Sequence, residues 1–226
     1  MSNNLKDTAL EEAVQEQSIS IIDLLLSGGP AGIIVISVLF ILLFIAIYIY
    51  IERFLAIKEA SKYDKKFMKK IKSFIVDGKV DEALELCEKE DSPVSRLTEK
   101  GISRIGRPLE DINSAIENVG RLEVYNLEKN VSILATVAGA APMIGFLGTV
   151  IGMVLAFHQL STSDGAPDMG GLAEGIYTAM TTTVAGLIVG IVAYIGYNHL
   201  VVKTDKVVNQ MERTAMDFLD LLNEPA

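Results

Sequence analysis

The sequence predicts an all-α integral membrane protein with three transmembrane helices, the second and third extended into a cytoplasmic helical bundle. Three observations predict it. Leu24–Ile51, Asn130–Ser163 and Gly175–Val202 contain no Asp, Glu, Lys or Arg. Each window exceeds the roughly 20 apolar residues that cross a bilayer core. Basic residues are also distributed unevenly, with 16 of the 20 Lys and Arg between Glu52 and Asn130.

Taken in chain order, residues 1–30 read as a periplasmic tail. They carry one Lys against five acids (Asp7, Glu11, Glu12, Glu16, Asp23), whereas a cleaved signal starts positive. Within the tail, SIIDLLLSGG (Ser20–Gly29) has the pattern of a short interfacial amphipathic helix. Residues 31–51 form the first transmembrane helix. Its run IIVISVLFILLFIAIYIYI is bulky and β-branched, which suits a lipid-facing span. Residues 52–130 form a cytoplasmic helical region, with turns expected at Asp77-Gly78 and Asp91-Ser92-Pro93. Ile112, Ile116, Val119, Leu122 and Leu127 recur at helical steps there. No proline follows before the second window, so that helix is expected to run on into it. Residues 131–160 form the second transmembrane helix, with a bend expected at Pro142. Residues 161–173 form a periplasmic loop in which Asp164 and Asp168 are solvated. Residues 174–202 form the third transmembrane helix and 203–226 a cytoplasmic C-terminal helix. Its apolar stripe is Val207, Val208, Met211, Ala215, Phe218, Leu219 and Leu222.

Orientation follows Lys and Arg rather than the net charge of −9. Arg53, Lys58, Lys62, Lys65, Lys66, Lys69 and Lys70 flank the first window, and the linker His158–Glu174 has no Lys or Arg. The N-terminus and this linker are therefore expected outside, and the C-terminus inside. The segment 52–130 also holds 16 acids, so it has no basic excess for nucleic acid. The single cysteine, Cys87, excludes an internal disulfide and a cysteine-rich metal site. It sits at helical spacing from Leu84, as a buried structural thiol would. His158 and His199 lie on different spans and pair for no metal, and no cofactor is expected. The spans hold no Ser–His pair and no Asp pair, so an enzyme is not expected.

Helices in lipid associate through small residues and interhelical hydrogen bonds. The second window offers Gly145, Thr149, Gly152 and Ala156; the third offers Thr178, Thr182, Gly186 and Gly190. Gly145, Gly152, Gly186 and Gly190 are read as helix-packing positions, and these stripes argue for a homo-oligomer. Thr181, Thr182 and Thr183 stand in a row. A single membrane threonine commonly bonds back to its own helix. Three in succession are each turned by about 100°, so they cannot share one face. At least one is expected to meet a polar partner, and Thr182 is expected to pack against a neighbouring helix.

GFLGTVIGM (Gly145–Met153) and GIYTAMTTTVAGLIVGIVAYIGYN (Gly175–Asn198) resemble the two signature segments of the ExbB/TolQ/MotA ion-channel proteins. IERFLAIKEA (Ile51–Ala60) resembles the stretch after their first span. The three-span layout is closer to ExbB, and next to TolQ, than to four-span MotA. The resemblance implies a pentameric ring in the bacterial inner membrane, its pore lined by the second and third helices. It implies a single-span ExbD- or TolR-like partner inside the pore that supplies an aspartate, with surrounding membrane lipid. It also implies a proton-driven motor that energises a TonB-like transducer. The family threonines fall on Thr149 and Thr183. Where some members carry a pore glutamate this chain has Thr178, and Thr182 stands where others have alanine. Thr149, Thr183, Thr178 and Thr182 are the ion-pathway residues this reading names. It leaves the lining without a titratable group, with Glu174 at the outer mouth. Alternatives are a TolQ-like envelope motor and a membrane scaffold without ion flux. Sodium is an alternative to the proton.

Overall fold

A computed structural model describes residues 29–62, 66–162 and 169–223. The N-terminal tail, its amphipathic stretch before Gly29, and Asp164 and Asp168 of the 161–173 loop lie outside the described residues. So do residues 63–65 and 224–226. Seven helices are described: α1 (Gly29–Ala60), α2 (Phe67–Val76), α3 (Val80–Glu90), α4 (Pro93–Ile102), α5 (Leu109–Glu128), α6 (Val131–Ser161) and α7 (Met169–Asn223). No strand occurs among the described residues. The protein is an all-α integral membrane protein, and three helical stretches are long and apolar enough to span: Gly32–Ala60, Leu109–Ser161 and Met169–Asn223. The chain divides into two compact units. One comprises Met1–Ile45 and Thr136–Ala193, and the other Ala46–Ala135 and Tyr194–Ala226.

The charged unit, Ala46–Ala135 with Tyr194–Ala226, owes its helix boundaries to local chemistry. Gly78, at φ 72°, closes the turn after α2, a conformation glycine adopts without penalty. Asp91 ends α3 in the left-handed region at φ 39°. Ser92 then caps α4: its hydroxyl accepts from Ser95 N–H, while Ser95 Oγ accepts from Ser92 N–H. Pro93 occupies the first helical position, where a missing N–H costs nothing. Phe67, Ile71, Ala83, Val94, Ile102, Ile116 and Phe218 are buried together with Cys87. Gly101 leaves room for the Phe218 ring. Cys87 is 1% exposed, and burial pushes its thiol up to about 12. It is a small apolar filler rather than a nucleophile.

Two expectations need correction here. Leu122 does not belong to the buried stripe of α5, being 64% exposed. The buried positions are Ile112, Ala115, Ile116, Glu123 and Leu127. An acid takes the place of an apolar residue because Arg96 meets it with two parallel bonds, Nε to Oε1 and Nη2 to Oε2, both 2.8 Å. This planar match satisfies both carboxylate oxygens. The Glu123 carboxylate in turn holds the Arg96 guanidinium above its ordinary pKa. Second, α5 and α6 are not one uninterrupted helix. Lys129 is extended (ψ 130°) and Asn130 is left-handed at φ 63°. Asparagine tolerates that conformation better than other non-glycine residues, so no proline is needed for the break. Arg53, itself buried and paired with Glu52, donates to Asn126 O at 3.0 Å just before this joint.

The C-terminal part of α7 buries Leu200, Thr204, Val207, Met211, Thr214 and Phe218. Those steps alternate between four and three, the spacing of a coiled-coil seam. Two of the six are threonines, which the apolar stripe read from sequence omitted. Thr214 bonds back to Gln210 O.

The membrane unit, formed by Met1–Ile45 and Thr136–Ala193, contains the early part of α1, most of α6 and the first half of α7. Helix α6 runs unbroken through Pro142. Proline cannot donate to the carbonyl four residues back, here Ala138. Helix α7 packs closely at this point: a Cβ built on Gly190 would lie 3.1 Å from Ala138 O and 2.6 Å from Pro142 Cγ. All three helices present apolar side chains outward, among them Phe44, Met143, Phe146 and Ile188. The first is not purely lipid-facing, because Val35, Ile36 and Leu39 are buried.

Candidate functional site: a hydroxyl and carbonyl cluster in the membrane unit

The site begins with glycine. A Cβ on Gly145 would stand 2.7 Å from Thr182 O and 3.0 Å from Gly186 Cα. One on Gly186 would stand 2.6 Å from Ala141 O and 2.9 Å from Gly145 Cα. The backbones of α6 and α7 therefore touch at this level. Side chains one turn further along each helix are brought within hydrogen-bonding reach.

Those side chains are hydroxyls. Thr149 Oγ1 and Thr183 Oγ1 are hydrogen-bonded to each other across the interface. Thr149 Oγ1 also lies 3.1 Å from Ala179 O and 3.4 Å from Gly145 O. Thr183 Oγ1 lies 3.2 Å from Gly145 O. Thr182 Oγ1 reaches Ala179 O at 2.7 Å and Gly145 O at 3.1 Å. Three hydroxyls and two carbonyls thus share six contacts. Each hydroxyl has one proton to donate, so only three contacts are hydrogen bonds at any instant.

The threonine triplet divides by face, as the helical turn requires. Thr181 bonds back to Tyr177 O of its own helix at 3.1 Å. Thr182 is 1% exposed and packed against α6. Thr183 is half-buried, as is its partner Thr149, so this pair has one side toward the surface of the chain. Thr178 lies one turn before Thr182. It lines a cavity with Thr182, Gly152 and Glu174. The sequence reading placed Glu174 at the outer mouth without joining it to the threonines. Glu174, Thr178 and Thr182 follow one another at steps of four, and that spacing was the available signal.

The glycine stripes are engaged within the chain. Gly145 meets Gly186, Gly152 meets Ala179, and Gly190 meets Pro142. A single copy already uses these stripes, so they do not by themselves require an oligomer.

Comparison with known proteins gives a consistent family. The model of the MotA/TolQ/ExbB proton channel family matches residues 89–213, more than half of the chain. An ExbB homolog of Methanothermobacter thermautotrophicus is 31% identical over 131 residues, covering 58% of this chain and 46% of that protein. The Tol-Pal system protein TolQ of Haemophilus influenzae is 39% identical over 98 residues, covering 43% of this chain and 41% of its own length. The biopolymer transport protein ExbB of Helicobacter pylori is 38% identical over 80 residues, covering 35% and 54%. This chain spans about half the length of these relatives.

Proposed function

Because the chain belongs to the MotA/TolQ/ExbB proton channel family, we propose that it is an ExbB-like subunit of a proton-driven motor in the bacterial inner membrane. It forms a homo-oligomeric ring, pentameric by family resemblance, around an ExbD-like single-span partner, and energises a TonB-like transducer. The observation that carries this reading is the Thr149–Thr183 hydroxyl pair. It is half-buried within the apolar helices, and its hydrogen-bond partners among the described residues are hydroxyls and carbonyls, not carboxylates. Threonine hydroxyls pass hydrogen bonds but do not release protons near neutral pH. An ionisable residue must come from elsewhere, and the partner's aspartate is the candidate.

The test is ion flux into liposomes under an imposed pH gradient. This chain alone is expected to be silent. With its partner it is expected to conduct, and an Asp→Asn change in the partner's helix is expected to abolish the flux. Saturable proton flux from the chain alone would overturn the assignment of the aspartate. The same assay with a sodium gradient identifies the driving ion. Normal flux when both Thr149 and Thr183 are valine would leave only a packing role for the two hydroxyls. The match to TolQ favours a second role, an envelope motor with a TolR-like partner. Complementation of strains lacking one system or the other separates the two.

We also propose that the N-terminus faces the periplasm and the charged unit the cytoplasm, since basic residues concentrate in 52–130. Ser163→Cys is expected to react with an impermeant thiol reagent added outside, and Ser73→Cys, at an exposed position, only after lysis. The reverse pattern would invert the topology. Native Cys87 cannot report sidedness, because it is buried and its thiol remains protonated.

A further inference from the structure

The cavity beside the hydroxyl cluster has a volume of about 240 Å³ and is bounded by all three helices of the membrane unit. Half of its lining residues are glycine or alanine, so much of the space is left open by missing side chains. Gly32 and Val35 contribute from α1, Gln159 from the end of α6, and Glu174, Thr178 and Thr182 from α7. The last three lie on one face of α7, since residues four apart are neighbours on a helix. They cover about 12 Å along its axis at 1.5 Å per residue. Glu174 is exposed, Thr178 half-buried and Thr182 buried. The polar row therefore leads from solvent-accessible chain into the interior. At its inner end Thr182 Oγ1 contacts Gly145 O and Ala179 O, the carbonyls shared with Thr149 and Thr183. Among the described residues that line the cavity, on every helix around it, Glu174 is the one ionisable group. A lipid chain would find a carboxylate and an amide at the entrance and hydroxyls along one wall. Water and a small cation would find oxygen ligands along the α7 wall, beside the apolar Val35, Ile151 and Leu155, in a volume that holds several waters.

We propose that this cavity is the entry vestibule for the transported monovalent cation, and that Glu174 is the carboxylate that concentrates the cation there. The proposal rests on the reading that the chain conducts, and it adds the place where the ion enters. The cation is either a proton carried on water or sodium, and both are attracted by the same fixed negative charge. Glu174 acts through the local concentration of the ion, so its role is one of positioning. Its signature is a change in half-saturation rather than in maximal flux. A charged cleft with low-dielectric walls raises counter-ion concentration by roughly tenfold or more.

The experiment uses the complex of the full chain with its single-span partner, reconstituted in liposomes. Initial flux is measured against external cation concentration, once with protons in sodium-free buffer and once with sodium at fixed pH. The arm that saturates identifies the ion. Glu174→Gln is expected to raise the half-saturating concentration by roughly tenfold while the plateau is kept. Glu174→Asp is expected to restore most of the wild-type affinity. Added inert salt is expected to weaken the wild type toward the glutamine variant, because screening acts on a fixed charge. Gly32→Leu provides a second route. A Cβ on Gly32 would lie 3.8 Å from Thr178 Cγ2, an ordinary contact, and the rest of a leucine would enter the cavity. It is expected to lower the plateau severalfold, whereas Gly139→Ala, outside the cavity and with nothing within 4 Å of its Cβ, is expected to leave it unchanged. Saturable wild-type flux with the same half-saturation in Glu174→Gln would overturn the vestibule and leave the channel reading standing. A silent wild-type complex would overturn both.

Discussion

Replacing Thr149 or Thr183 by valine is expected to lower partner-dependent ion flux by about tenfold or more, while the protein still folds and assembles. Valine keeps the shape of threonine and removes its hydroxyl. What is lost is the bond between the two side chains and their reach to Ala179 O and Gly145 O. Losing one such bond is worth about 1–2 kcal/mol, which corresponds to roughly tenfold in a rate if the bond is made on the conduction path. The two changes should not add, because each removes the same pair, and the double variant is expected to resemble either single one. Thr182→Val is the informative contrast. Thr182 is buried and bonded to α6, so its loss is expected to lower thermal stability more than flux. Liposome flux beside detergent-phase melting separates these outcomes. Valine variants at 149 and 183 with full flux would assign the hydroxyls to packing.

Gly186→Ala is expected to prevent stable folding of the membrane unit, with a loss of at least about 3 kcal/mol. A single methyl suffices because its contacts would be backbone atoms, Ala141 O at 2.6 Å and Gly145 Cα at 2.9 Å. Neither is the end of a flexible side chain. Relief requires α6 and α7 to separate, and separation also parts Thr149 from Thr183. Gly139→Ala is the matched control on α6: a Cβ there meets nothing within 4 Å, so the change is expected to be neutral or slightly favourable to the helix. The measurement is thermal unfolding in mild detergent followed by circular dichroism. Equal melting of the two variants would show that the close approach at Gly186 is not needed.

The three spans were legible because a long charge-free window has few other readings. So were the turns at Gly78 and Asp91-Ser92-Pro93, since glycine, a capping serine and a first-turn proline each act locally. The joint at Lys129-Asn130 was not legible. Its cause is one left-handed asparagine, a conformation that residue tolerates without demanding. Glu123 was misjudged in favour of Leu122 because an acid on a helix normally faces water. Only Arg96, 27 residues away in sequence, makes its burial tolerable. The same limit applies to the hydroxyls. Spacing required the three threonines to point in different directions. Which one would meet Thr149 depended on where α6 lies, and that is set by the contact of Gly145 with Gly186.

The sharing of three protons among six contacts has an electrical consequence. Several hydrogen-bond orders are available to Thr149, Thr182 and Thr183. Passing between them requires rotation about Cβ–Oγ bonds and displaces no heavy atom. The helices carrying these groups are meanwhile held backbone against backbone. The patch is thus mechanically stiff and dielectrically soft. A charge arriving alongside is answered by dipoles that turn on the fast timescale of side-chain rotation, not by the slower motion of a helix. A carboxylate that is ionised at one moment and neutral at the next would meet an opposing dipole each time, presented by the same rigid frame.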